Sequence, residues 1–130
     1  MRVATVVLLA LMIAACTESG ALLTGTWVLP HADGSRSEFV FDRNGSGSRR
    51  YWSADQRCKA DLRGIDWSAR GSKVRITQDL SSTEQGVVYD VTAVVNASLS
   101  RTVGGQRLLL IEGYDGAFHM VDGPPKDCSN

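Results

Sequence analysis

Short turn signals recur along this chain at intervals too close to leave room for helices. Asn44-Gly45 separates residues 38–42 from 47–53, and Asn-Gly suits a two-residue hairpin turn whose central positions both need positive φ. Arg70-Gly71-Ser72 falls between 62–69 and 73–79. Gly104-Gly105 falls between 97–103 and 106–112, and Asp115-Gly116 leads from there into 117–121. Short segments bounded in this way are strands. Only 81–85 has the composition of a helical turn, and it is too short to count on.

The segments also carry the two-residue period of a strand covered on one face. Phe39 and Phe41 share a face opposed by Glu38, Val40 and Asp42. Val74 and Ile76 oppose Lys73, Arg75 and Thr77, while Phe118 and Met120 oppose His119. Val87, Tyr89, Val91, Ala93 and Val95 make a long apolar face. Leu108-Leu109-Leu110-Ile111 is apolar on both faces, the pattern of a central strand covered twice. Strand following strand through short turns predicts an all-β fold, an antiparallel up-and-down meander of about eight strands. Closing it into a small barrel removes the unpaired edges.

The beginning of the chain reads differently. Arg2 precedes a run, 3–15, with no charge and one hydroxyl, Thr5. Thirteen residues suit the apolar core of an export signal and fall short of the roughly 20 that span a bilayer as a helix. The run ends on Ile13-Ala14-Ala15-Cys16, which resembles the bacterial lipobox. That resemblance implies a thioether-linked diacylglyceryl group on Cys16 and cleavage after Ala15. Each buried methylene adds about 0.8 kcal/mol, so two or three acyl chains hold where one would not. The expected organisation is a signal at 1–15, a lipidated N-terminus and tether at 16–23, and one domain at 24–130. The tether, 17–23, reaches at most about 25 Å, which keeps the domain near the membrane. Thr17 follows the cysteine where enteric-type retention at the inner membrane uses Asp. The implied location is the bacterial cell envelope, anchored at the outer membrane through the acyl chains.

Charge excludes one class of partner. All 14 acidic residues and 13 of the 14 basic ones follow Ala15, which leaves a net charge near −1. Without a basic block there is no electrostatic basis for binding nucleic acid. The remaining cysteines, Cys58 and Cys128, form an even pair in an oxidising compartment and predict a disulfide. The bond would close a loop worth about 4 kcal/mol in the chain-entropy account. It would also tie down a C-terminal tail containing Gly123-Pro124-Pro125.

The domain opens Leu23-Thr24-Gly25-Thr26-Trp27-Val28-Leu29, followed by Phe39, Phe41 and Asn44-Gly45. This is similar to the start of small bacterial lipocalin-like domains: Gly-x-Trp on the first strand, then a Phe-rich strand and a tight hairpin. The resemblance implies that Trp27 is a structural plug at the closed end of the barrel. It also implies a small hydrophobic ligand or an envelope protein as partner. No Thr-Asp-Tyr signature is present, the chain is shorter than a full lipocalin, and a small eight-stranded barrel can be filled by its own side chains. A second resemblance covers much of the same ground. Periplasmic inhibitors of secreted metalloproteases share Leu-x-Gly-x-Trp-x-Leu, and Cys58, Ile65, Trp67 and 71–76 follow their order. Their first cysteine lies where this chain has Phe39. This resemblance gives the alternative expectation, an inhibitor of an exported hydrolase.

No catalytic constellation stands out. His31 lies in a polar loop and His119 on a strand, each apart from any nucleophile motif. Asp61 with Asp66, and Asp115 with Asp122, are acidic pairs of the kind scattered through loops. Gly104-Gly105 has no following helix and cannot cradle a phosphate. Two cysteines without CxxC spacing do not make a zinc site. Arg49-Arg50-Tyr51-Trp52 has the composition of a stacking patch for sugar or peptide, or of a barrel rim or core. The expectation is therefore a non-enzymatic binding or structural module with no cofactor and no metal. Replacing Cys16 by Ser should abolish labelling with a fatty-acid analogue and release the protein from the membrane; undiminished label on the variant would rule the lipobox out.

Overall fold

The computed structural model describes residues 22–79, 82–89, 92–102 and 104–128; the expected export signal and Cys16 lie outside them. Along the chain run β1 (Gly25–Pro30), β2 (Arg36–Phe41), β3 (Ser46–Trp52), β4 (Cys58–Arg70), β5 (Lys73–Asp79), β6 (Ser82–Glu84), β7 (Val87–Tyr89), β8 (Thr92–Arg101), β9 (Arg107–Ile111) and β10 (Phe118–Val121). Eight of these close a barrel in the order β1-β10-β9-β8-β5-β4-β3-β2, every pairing antiparallel. This is the up-and-down meander that the spacing of the turns predicts. The strands β6 and β7 form a separate two-stranded ribbon in the connection from β5 to β8.

Two segments depart from the sequence reading. The 81–85 region is not helical: Ser82–Glu84 is a strand, and Gln85-Gly86 turns it into β7 with positive φ at both positions, 52° and 76°. Positive φ at both central residues matches the twist of a tight hairpin. That turn separates Val87–Tyr89 from the barrel, while one continuous β8 joins segments that alternation alone divided. The second departure is β9. Leu109 and Ile111 are buried, but Leu110 is 46% exposed, so β9 is not covered twice. A barrel wall has one interior face, and Leu110 points out beside Ser98 of β8.

Alternation turns one face of every strand into a single lumen filled largely by aromatic side chains. Trp27, Phe39, Phe41, Ile76, Leu109 and Phe118 are almost wholly enclosed. Phe39 stacks on Phe41 with centroids 5.8 Å apart and meets Phe118 edge-on at 5.5 Å, while Phe41 meets Trp67 edge-on at 5.8 Å. Such offset and perpendicular pairs are the favoured geometries for rings carrying a quadrupole. One end is sealed by backbone contacts to large side chains. The Trp27 indole donates to the Leu23 carbonyl at 2.8 Å, and Arg107 donates to the Leu22 carbonyl at 2.9 Å. The Trp67 indole donates to the carbonyls of Asp42 and Ser46 at 3.0 and 2.9 Å, pinning the β2–β3 turn to β4. At Gly47 a Cβ would stand 2.4 Å from the Val40 carbonyl, so only glycine lets β3 approach β2 this closely.

The outer face of β1–β3 is also covered. Glu38, Val40 and Trp52 alternate away from the lumen, yet they are only 3%, 6% and 2% exposed. The tail after β10 crosses them. Arg50 donates to the Lys126 carbonyl at 2.7 Å, and both the Arg36 guanidinium and the Lys126 ammonium lie against the Trp52 ring, at 4.7 and 5.1 Å from its centre. Beneath the tail, Glu38 pairs with Arg50 at 3.5 Å and Arg36 at 3.9 Å, and Arg50 reaches Asp61 at 3.4 Å. The Cys58–Cys128 disulfide fastens the strap's end to the start of β4.

Two outcomes follow from this packing. Trp27→Ala should lower unfolding free energy by about 3–5 kcal/mol, as large aromatic truncations in cores do, read as a shifted denaturant midpoint. Replacing both Cys58 and Cys128 by Ser should cost about 2–4 kcal/mol and red-shift the Trp52 emission; an unchanged spectrum would mean that the strap holds without its bond.

Candidate binding site at the open end

The two ends of the barrel differ in what their loops supply. The turns 42–45, 70–72 and 102–106, together with Leu22 and Leu23, gather at the sealed end. The loops 31–35, 53–57 and 112–117, with the β6–β7 connection, gather at the other. There the interior faces of β2, β3, β5 and β8 leave a cleft of about 390 Å³.

Strand β3 shows how the sequence builds it. Its alternation sends Arg50 and Trp52 out under the strap and Arg49 and Tyr51 in toward the open end. The four-residue run Arg49-Arg50-Tyr51-Trp52, read as one possible patch, is therefore two sites on opposite faces. Across from it, Gly64 is the extra residue of a β-bulge: Gly47 pairs with Ile65 and Ser48 with Arg63. Its φ of +88° is glycine territory. The bulge restores the inward phase of β4 beyond this point, so Leu62 pairs with Arg49 and Ala60 with Tyr51. Leu62 is 43% exposed and Tyr51 38%, the apolar lip of the open end.

Inside the lip stands an aromatic wall. Tyr114 meets Phe39 edge-on at 5.9 Å and Phe118 edge-on at 5.1 Å. The Arg49 guanidinium lies 5.7 Å from the Tyr114 ring centre, within cation–π range. Burial pushes the Tyr114 hydroxyl above its ordinary value of 10.0, and the neighbouring Arg49 charge opposes that rise. Gln78 is buried at the cleft's floor, Val95 and Ala93 line its side, and exposed Glu112 stands at its edge.

His31 is not a free surface side chain. Its Nε2 shares a 2.9 Å hydrogen bond with Ser37 Oγ, and its ring lies 6.5 Å from that of Tyr51. Sequence reading missed this pair; the signal was Ser37 on the Phe39 face of β2, opposite Leu29 of β1. Asp33 does not complete a relay, because its carboxylate accepts from the Ser35 amide and hydroxyl, which hold it below the usual carboxylate range. His119 is elsewhere, on β10, where its Nδ1 meets the Gln106 amide at 3.1 Å. Asp61 serves the outer ion pairs with Arg50 and Arg63, and Asp66 pairs in register with Ser46. Asp115 belongs to an open-end loop, whereas Asp122 begins the strap. Among the described residues no group of three His, Cys, Asp or Glu is placed to hold a metal ion.

The sequence matches no known family model, and neither a curated protein nor a solved structure proves similar to it.

The buried phenol gives a direct check. Tyr114 should ionise above its ordinary value of 10.0 in a spectrophotometric titration, and Tyr114→Phe should remove that late step. A raised folded-state value means that this residue's contribution to stability is full below pH 10.0 and lost as pH rises through its folded value.

Proposed function

We propose that this chain is a lipid-anchored envelope lipoprotein, held at the outer membrane, whose barrel acts by binding at its open end without turnover. The observation that carries the reading is the division of the lumen. Large side chains from Leu23 to Phe118 fill its core, and space for a ligand opens between Phe39, Arg49, Val95 and Tyr114. A cleft of this size lies at the small end of the roughly 300–1,000 Å³ typical of small-molecule sites. Its lining has the usual character of such sites too, mostly apolar and aromatic with a few convergent polar groups.

The lipobox-like Ile13-Ala14-Ala15-Cys16 supports the anchor, and the short tether supports action near the bilayer. The inhibitor reading draws less support. Leu23 is fully buried and Leu22 is held by Arg107, so this end of the domain is part of the barrel floor rather than a segment free to enter a protease. The His31–Ser37 pair lacks an orienting carboxylate among the described residues, which favours binding over hydrolysis.

Native mass spectrometry of the processed, purified lipoprotein tests the reading. A small-molecule adduct should survive Leu110→Glu on the outer wall and be lost with Leu62→Glu on the lip. Hydrolytic turnover that disappears in His31→Ala would contradict it.

A further inference from the structure

The cleft's charge narrows what it can hold. Arg36, Arg50, Arg57 and Arg63 each pair with a carboxylate on the outside of the barrel or in its loops. Arg49 is different. It is half-buried, turned into the lumen, and among the described residues it has no carboxylate within ion-pair distance. The face of Tyr114, 5.7 Å from the guanidinium, is a weak substitute for a counter-ion. Glu112 shares the cleft but is exposed at the rim, where water screens it. A guanidinium in such a setting offers a planar fork of donors that matches a carboxylate or sulfonate.

The walls add a second requirement. Tyr114, Phe39 and Phe118 form a connected edge-to-face set, and Val95 and Ala93 add apolar lining, with exposed Leu62 in register with Arg49 at the lip. Gln78, buried at the base, supplies a further hydrogen-bonding group.

Resting on the open-end reading above, we propose that the ligand is a small organic monoanion with a flat apolar body. Its acid group pairs with Arg49 and its body lies against Tyr114 and Phe39. The acid head enters toward the base of the cleft while the body fills the space below the Tyr51–Leu62 lip.

Two probes of nearly equal shape separate charge from shape: 2-naphthalenesulfonate and its neutral analogue 2-naphthalenesulfonamide. Calorimetric titration of the full processed chain in detergent, with detergent blanks subtracted, should show the sulfonate binding roughly 10- to 100-fold tighter, the range expected of one charge-assisted contact. Arg49→Gln should erase that preference, and Arg49→Lys should keep part of it. Equal affinities in the wild type, or a preference that persists in Arg49→Gln, would overturn the proposal. The resonances of Tyr114 and Leu62, followed in the same titrations, locate the binding. If the neutral probe shifts them and the anion gains nothing, the open end still binds and only the anion assignment fails. If neither probe moves them, the open end is not a binding site, and both readings fall.

Discussion

Trp27 lies in register between Met120 of β10 and Phe39 of β2, at the seam where the last barrel strand meets the first. That seam turns a meander into a closed wall. Once it closes, each strand has one face inside, and the inner faces of eight strands must share a single space. The sequence meets the demand with rings: Trp27 is wholly buried there, and Phe39, Phe41, Trp67 and Phe118 pack in edge-on and stacked pairs. Packing of this kind fills the core of the lumen with the protein's own side chains. Any binding inside the barrel is thereby moved to the end where the rings stop. The open end, with Arg49 and Tyr114, is thus a consequence of how the rest of the lumen is filled.

A second constraint comes from outside. A small barrel buries one face of its wall and leaves the other to water, and Glu38, Val40 and Trp52 break that rule. They are covered by a strap that begins at Asp122 and ends at the Cys58–Cys128 bond. The Glu38 carboxylate is tolerated there because Arg36 and Arg50 stand beside it. The strap also sorts the cations of β3. Arg50 is consumed by Glu38, Asp61 and the Lys126 carbonyl, while Arg49, one residue away, is left facing the lumen. The same two-residue period that builds the wall makes one arginine structural and the other available.

What was legible in the sequence follows from how local each signal is. Asn44-Gly45, Asp115-Gly116 and the alternation of Phe39 with Phe41 depend on adjacent residues, and the strands they mark are present. The first turn is not the expected two-residue one: Gly45 has positive φ and Asn44 does not, and the Asp42 amide donates to the Ser46 carbonyl. Cys58 with Cys128 was legible as the even pair left once Cys16 is set aside. The misreadings share a different cause. Leu110 reads as buried from composition, but its exposure depends on the wall having a single interior face. Burial of Glu38 depends on a tail more than eighty positions along the chain, which no local pattern reports. The inward phase of Leu62 depends on an extra residue at Gly64, and the His31–Ser37 contact on a loop folding back over its own strand. The open end was therefore hidden although most of its residues sat on correctly read strands.

The lumen is solid at its core and opens beside Arg49 and Tyr114. Methyl NMR of the full chain with a neutral gadolinium chelate in solution tests it most directly. Leu62 methyls, on the lip, should broaden strongly and Val95 methyls, inside it, measurably, while those of Ile76 and Leu109 should stay sharp. Broadening of Ile76 or Leu109 to the level of Leu62 would show a hollow barrel and contradict the account.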